Sequence, residues 1–131
     1  MTPPVRRLLG WLPALLWVAL IFVLSSQPSL PSPSQLNDKQ AHAIAYAVLA
    51  LLCLMGLTSW RWRAVAGASL LGAFVLTVAY GVSDEVHQSF VPGRSPDAAD
   101  VLADAAGAGI ALAAAGAWAI LLERRSSNPR R

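Results

Sequence analysis

Four long apolar runs dominate the chain: Leu8 to Leu24, Ala41 to Leu57, Ala64 to Val82 and Ala98 to Leu122. A bilayer's hydrocarbon core is about 30 Å thick, and a helix needs about 20 apolar residues to cross it. Inside lipid every backbone N–H and C=O must be satisfied within the protein, so runs of this length without alternation are read as helices. The predicted fold class is therefore all-α: a polytopic bundle of four transmembrane helices. Only 13% of the 131 residues are charged and 56% are hydrophobic, whereas soluble domains carry about 25% charged residues. Four spans with short connections take up nearly all of this length. We expect one transmembrane domain over 1–125 and a basic tail over 126–131.

The charges are sorted. Arg6, Arg7, Arg61, Arg63, Arg124, Arg125, Arg130 and Arg131 flank one set of span ends. Asp38, Asp84, Glu85, Asp97, Asp100 and Asp104 lie at the opposite ends, with Lys39 and Arg94 as the accompanying cations. Cytoplasmic loops retain Lys and Arg, so both termini are expected inside and the carboxylates outside. The net charge of +3 does not indicate nucleic acid, because the arginines flank apolar spans and form no stripe on a soluble face. Their simpler roles are orientation and attraction to anionic inner-leaflet lipid. The first run resembles a signal peptide, but it is long for one and lacks a clean small-residue cleavage site. A retained helix is expected, with Pro13 in its first turn or at a mild kink. Cys53, the single cysteine, excludes an intrachain disulfide and reads as a small buried residue.

Between the spans, Ser25 to Asn37 holds five serines and three prolines and reads as an extended outer loop. Asn37 or Asp38 can cap the second helix. Trp60-Arg61-Trp62-Arg63 suits an inner interfacial turn, and Trp17 is expected to pack. The third helix is expected to end near Gly81, followed by a short interfacial helix over Ser83 to Phe90 on the outer face. Val91-Pro92-Gly93-Arg94 has the proline and glycine of a tight turn. Ser95-Pro96-Asp97 reads as a helix start, with Ser95 capping. In the last run Gly107, Ala111 and Ala115 form one small-residue row and Gly109, Ala113 and Ala117 another, which permits close helix approach in lipid. This helix is expected to be the central packing element.

Asp38, His42 and Tyr46 are spaced i, i+4, i+8, so they share one helical stripe. Asp97, Asp100, Asp104 and Gly107 share another. Asp104 should lie about 10 Å below the start of its helix, and facing it to lipid would cost roughly 2.5 kcal/mol or more. The two stripes are therefore expected to face each other across a polar outer cavity. Asp84 and Glu85 follow a helix end that already carries partial negative charge. Arg94, whose fork binds carboxylate or phosphate, is the best-placed partner for them, with His42, His87, Lys39 or a cation as alternatives. Asp38 and Asp97 are equally well explained as anions at helix N-termini.

His42, Asp84, Glu85, Arg94 and Asp100 are the candidate catalytic residues. Asp38, Lys39, Tyr46, His87, Gln88 and Asp104 are the candidate substrate-binding ones. His42 beside a carboxylate suits a general base, and Arg94 suits a phosphate. Ser83, Ser89 and Ser95 sit in no nucleophile motif. The aspartates, Glu85 and the histidines are suitable metal ligands, yet no His-Glu-x-x-His or comparable spacing identifies a metal. A full proton or ion path lacks matching acids in the inner halves of the spans. A non-catalytic scaffold, its polar cluster holding the helices together, is the alternative to lipid head-group binding and chemistry.

Asp38-Lys39-x-x-His42-x-x-x-Tyr46, then Asp84-Glu85-x-His87-Gln88-x-Phe90-x-Pro92-Gly93-Arg94, then Asp100 and Gly107 occur in that order. Over about Phe22 to Ala115 the chain resembles the VanZ-like family of small bacterial membrane proteins. The resemblance implies a four-helix protein of the bacterial cytoplasmic membrane. The founding member is associated with lowered sensitivity to teicoplanin, which acts on lipid-linked wall precursors at the outer face. Membrane lipids, and a lipid-linked cell-wall precursor among them, are thus the expected partners. Where the family usually has asparagine, this chain has Asp104, so its cavity carries a different charge.

Overall fold

The computed structural model describes residues 3–28 and 37–127, and these are helical with no strand. Helix α1 covers Pro3–Leu9, α2 Leu12–Ser25, α3 Asp38–Thr58, α4 Gly67–Gln88 and α5 Ala98–Ser126. A single 3-10 turn covers Trp62–Ala64. Four segments are long and apolar enough to cross a membrane: Arg7–Ser25, Asp38–Thr58, Gly67–Gln88 and Ala98–Ser126. The expected spans are all present. The heart of the serine- and proline-rich loop, 29–36, and the end of the tail, 128–131, lie outside the described residues.

The first span is two helices. Pro13 stands in the opening turn of α2, where its missing N–H would have no helical partner, and the chain breaks at Gly10 and Trp11 before it. Asn37 caps α3: its side chain accepts from the Gln40 N–H, and the Gln40 side chain accepts from the Asn37 N–H. That reciprocal box satisfies two N–H groups the helix cannot. At the other end Ser59 and Trp60 adopt left-handed φ values of 52° and 61°, and the Trp60 N–H returns to the Met55 carbonyl. This turns the chain sharply into Trp62–Ala64. The Trp60 indole donates to the Gly10 carbonyl at 3.0 Å, tying this turn to the break in the first span.

Two expectations about local structure are corrected. Helix α4 does not stop at Gly81; it runs unbroken to Gln88, so no separate interfacial helix follows. An interior glycine costs only about 1 kcal/mol relative to alanine, and the last turns are held by the bonds of Asp84 to Tyr46 of α3 and of Glu85 to the Asp97 N–H at the start of α5. Val86 and Phe90 share the i, i+4 spacing but project outward. Ser95 does not cap α5. Asp97 does, its Oδ1 accepting from the Ala99 N–H at 2.8 Å, so the helix begins two residues later than the Ser-Pro signal indicates. The intervening turn is as expected: the Arg94 N–H bonds the Val91 carbonyl, with Gly93 at φ 84°.

Helix α3, and not α5, is the centre of the bundle. In α3, 44% of the apolar window is buried inside the protein, against 22% in each other span. Its tightest partner is α5. The reason is Gly107, where an added Cβ would overlap the Ala43 carbonyl of α3. Gly107, Ala111 and Ala115 do form the inward row, with Gly107 and Ala115 buried. The second row, Gly109, Ala113 and Ala117, faces outward or sits at the margin, because α5 meets α3 along one stripe only. The common core is Leu49, Ala50, Leu54, Ala73, Ala108 and Leu112 with Cys53 among them. Helix α2 packs more loosely. It is anchored by two polar handles: the Trp17 indole donates to the Ala45 carbonyl, and the Tyr80 hydroxyl to the Val18 carbonyl, each at 2.9 Å.

Candidate functional site

Antiparallel threading gathers six of the chain's seven carboxylates at one end of the bundle, where α3 and α5 begin and α4 finishes. Arg7, Arg61, Arg63, Arg124 and Arg125 lie at the other. The two stripes meet as their spacing requires. Lys39 Nζ lies 2.8 Å from Asp97 Oδ2 and 3.1 Å from Asp100 Oδ1. One turn deeper, His42 Nδ1 lies 3.0 Å from Asp104 Oδ1. An ionised carboxylate can only accept, so with Asp104 ionised the imidazole donates from Nδ1 and Nε2 is not engaged in this contact. Deeper still, the Tyr46 hydroxyl donates to Asp84 Oδ2 at 3.3 Å, and Gln88 Nε2 donates to the same oxygen at 3.1 Å. His42, Tyr46 and Tyr80 stack in a ladder, with ring centroids 6.1 Å apart at each step.

Three of these groups are almost wholly enclosed: Asp104 is 0% exposed, Tyr46 1% and Asp84 4%. Asp104 fits there because Gly81 has no side chain; a Cβ at 81 would come within 2.7 Å of Asp104 Oδ2. One oxygen on each of Asp84, Glu85 and Asp104 is buried without a hydrogen-bond partner among the described residues. Buried polar atoms are normally satisfied, so three such oxygens in one region mark unmet demand for positive charge or protons.

Arg94 does not compensate Asp84 or Glu85. Its Nε donates to the Gln27 carbonyl at 3.2 Å, because the turn through Gly93 carries it toward the end of the first span. Glu85 is met instead by the Asp97 N–H, which donates to Oε2 at 2.9 Å; the carboxylate thus holds the start of α5. His87 also departs from the cluster. Successive helical positions turn by about 100°, so His87 points to α2 while Asp84 and Gln88 point to α3. It stacks on Phe22 with centroids 4.5 Å apart and sits 2.9 Å from Ser26 Oγ. The Ser26 hydroxyl already donates to the Phe22 carbonyl, so His87 Nε2–H is the donor in that contact.

Asp97 lies just outside the apolar part of α5. The Lys39 ammonium, and then the Ala99 N–H, hold its carboxyl below the ordinary value of 3.8. A carboxyl depressed by folding contributes stability above its unfolded value and loses it as pH falls through the lowered folded one. The contribution of Asp97 is therefore complete above about pH 4 and disappears below it. Removing the ammonium in Lys39→Gln should raise the Asp97 midpoint toward 3.8 in an NMR titration; an unchanged midpoint would show that Lys39 does not act on it.

A cavity of about 180 Å³ opens beside this cluster, between α2, α3 and α4. Asp38, His42, Tyr46, Asp84, Gln88 and Arg94 supply its polar side. Ile21, Leu24, Ala41 and Ala45 supply an apolar side. A groove of about 310 Å³ at the arginine end, between the start of α4 and the end of α5, contains none of the singled-out residues.

Residues 10–121 match the family model described as VanZ/LLP1. The chain belongs to the VanZ/LLP1 family. It is a multi-pass membrane protein. No curated protein and no solved structure matches it.

Of the residues singled out from sequence, the VanZ/LLP1 fold brings Asp38, Lys39, His42, Tyr46, Asp84, Gln88, Asp100 and Asp104 together. Glu85 stands beside them, Arg94 lines the cavity, and His87 is set apart. Sequence reasoning missed the apolar side, because α2 is hydrophobic all round and nothing marks which of its faces meets the recess. It also missed Gly81, which resembles a helix terminator but makes room for Asp104.

Proposed function

We propose that the acidic-end recess of this VanZ/LLP1 protein binds the polar head group of an anionic lipid at the outer leaflet. The observation that carries this reading is the two-sided cavity. Ile21, Leu24, Ala41 and Ala45 suit an acyl or prenyl chain, and the polar side beyond them suits a head group. Arg94 has donors beyond the Nε given to Gln27, and its guanidinium matches a phosphate. His42 presents Nε2 to take a proton from a hydroxyl or a water, as phosphoryl or acyl transfer or hydrolysis requires. The lining fits a membrane phospholipid or a lipid-linked cell-wall precursor. By the distribution of arginines the arginine end is cytoplasmic, with both termini there, in the cytoplasmic membrane of a bacterium.

The Lys39 bridge to Asp97 and Asp100 favours a second reading, a scaffold in which the cluster only clamps α3 to α5. Extraction in native-lipid discs, with bound lipids identified by mass spectrometry, separates the two. One anionic lipid class should be enriched with the wild-type protein. It should fall at least severalfold in His42→Gln and Arg94→Gln, with both variants folded. Identical lipid profiles in all three would leave the scaffold reading standing.

A further inference from the structure

The acidic end holds more negative charge than its cations answer. Lys39 is engaged by Asp97 and Asp100, and the Nε of Arg94 is turned to the Gln27 carbonyl. Within this surplus, one ligand atom each from Asp38, His42 and Asp100 lie within 4.8 Å of one another. An ion about 2.1 Å from its ligands holds adjacent ligand atoms about 3 Å apart and opposed ones just over about 4 Å apart. Small side-chain rotations of the exposed Asp38 and of Asp100 close that difference.

The histidine is already oriented as a ligand. Asp104 accepts from His42 Nδ1, which holds the ring from one side and leaves Nε2 out of that contact. Metal-bound histidines are held from behind in this way by carboxylates, which orient the ring and raise its basicity. Asp104 is fully enclosed, so this orientation is built into the bundle.

A separate observation points to a cation at the same place. Glu85 is 7% exposed and its Oε1 has no partner. The charged groups surrounding that carboxylate are Asp100, His42 and Asp104. A buried carboxylate beside two others needs positive charge nearby, and His42 is the one basic group among these neighbours. No arginine or lysine among the described residues makes an ion pair with it.

The geometry points to a divalent cation site made by Asp38, His42 and Asp100, with Asp104 positioning the imidazole and the Glu85 carboxylate adding negative charge nearby. One imidazole among carboxylates suits Mn²⁺ or Zn²⁺, and the absence of thiolates excludes softer ions. Lys39 competes with the ion for the Asp100 carboxylate. The site lies on the margin of the proposed lipid recess, where an ion would meet the phosphate of a head group. It stands on its own ligands, however, and not on the lipid reading.

The test is a titration of the full chain in lipid-free detergent with Mn²⁺, read by electron paramagnetic resonance, and with Zn²⁺, read by calorimetry. The wild-type protein should bind one ion saturably. Asp38→Asn, exposed and making no side-chain hydrogen bond among the described residues, should weaken binding about tenfold or more without affecting folding, as should His42→Gln. Asp104→Asn should weaken it by about 10- to 100-fold, the range found for groups behind a metal-binding histidine. Lys39→Gln should tighten it. Equal affinity in all of these variants, or no saturable binding in either wild type or Lys39→Gln, would overturn the site. Intact ion binding with no lipid enrichment in native-lipid discs would remove the head-group reading and leave the cation site in place.

Discussion

Replacing Gly107 with valine will drive α3 and α5 apart and sharply reduce the amount of folded protein. The added Cβ would overlap the backbone carbonyl of Ala43, and a backbone in the middle of a helix cannot rotate out of the way as a side chain can. Overpacking usually costs about 1–3 kcal/mol, occasionally more. Here we expect at least the top of that range, because α3–α5 is the main contact of the bundle and both sides are backbone. Even Gly107→Ala should be destabilising. Gly109→Ala is the matched control: it lies two residues away on the same helix, and its Cβ would meet only the Phe74 ring at 3.8 Å. It should hold the unfolding midpoint or raise it by a few degrees, since alanine is favoured over glycine in a helix interior by up to about 1 kcal/mol. Thermal unfolding in detergent followed by size-exclusion chromatography measures all three. A Gly107→Val protein as stable as wild type would show that the close approach of α3 and α5 is not what holds the bundle. The same separation would also move Lys39 and His42 from Asp97, Asp100 and Asp104, so stability and site depend on one glycine.

That glycine shows where sequence reading succeeds in a membrane protein and where it stops. The four spans are legible because lipid leaves few options: about 20 apolar residues must be helix. The meeting of the two stripes was legible because helical period fixes a face, and a carboxylate as deep as Asp104 must turn inward. Small residues at 107, 111 and 115 announced close packing. The row at 109, 113 and 117 announced it equally, and only the three-dimensional arrangement distinguishes them. Partner choice was the illegible part. Arg94 is the natural chemical match for Asp84 and Glu85, but a turn through Gly93 sends it to a carbonyl. Two hydroxyl and amide donors and one backbone N–H then do what an arginine was expected to do. His87 carries the same chemistry as His42, and a helical step of about 100° per residue puts it on a face that looks at α2. The end of α4 was misplaced for a related reason. Local propensity at Gly81 favours a stop, while contacts with α3 and α5, invisible in a single helix, carry it on to Gln88.

Asp104→Leu should disable the site more completely than any other single change within the cluster, and comparison with Asp104→Asn separates its two roles. The carboxylate accepts from His42 Nδ1–H with one oxygen, and the other is buried against Gly81 without a partner. Asparagine retains a carbonyl oxygen for the Nδ1–H, so the ring stays oriented, while the charge is lost. Leucine removes both and leaves a polar ring nitrogen of the partly buried His42 without its partner. An unsatisfied buried donor costs about 1–3 kcal/mol, so the leucine variant should unfold several degrees below the asparagine one. The Asp104→Asn protein should stay near wild type in stability, because deleting a buried charge also deletes the cost of desolvating it. The functional readouts should divide differently. Orientation of the imidazole survives in Asp104→Asn, so lipid enrichment should persist where head-group binding needs only the ring's direction. Ion binding, which also draws on the charge behind the ring, should fall. Equal loss of stability in both variants would mean that the charge itself holds His42 in place, and the neutral hydrogen bond does not suffice.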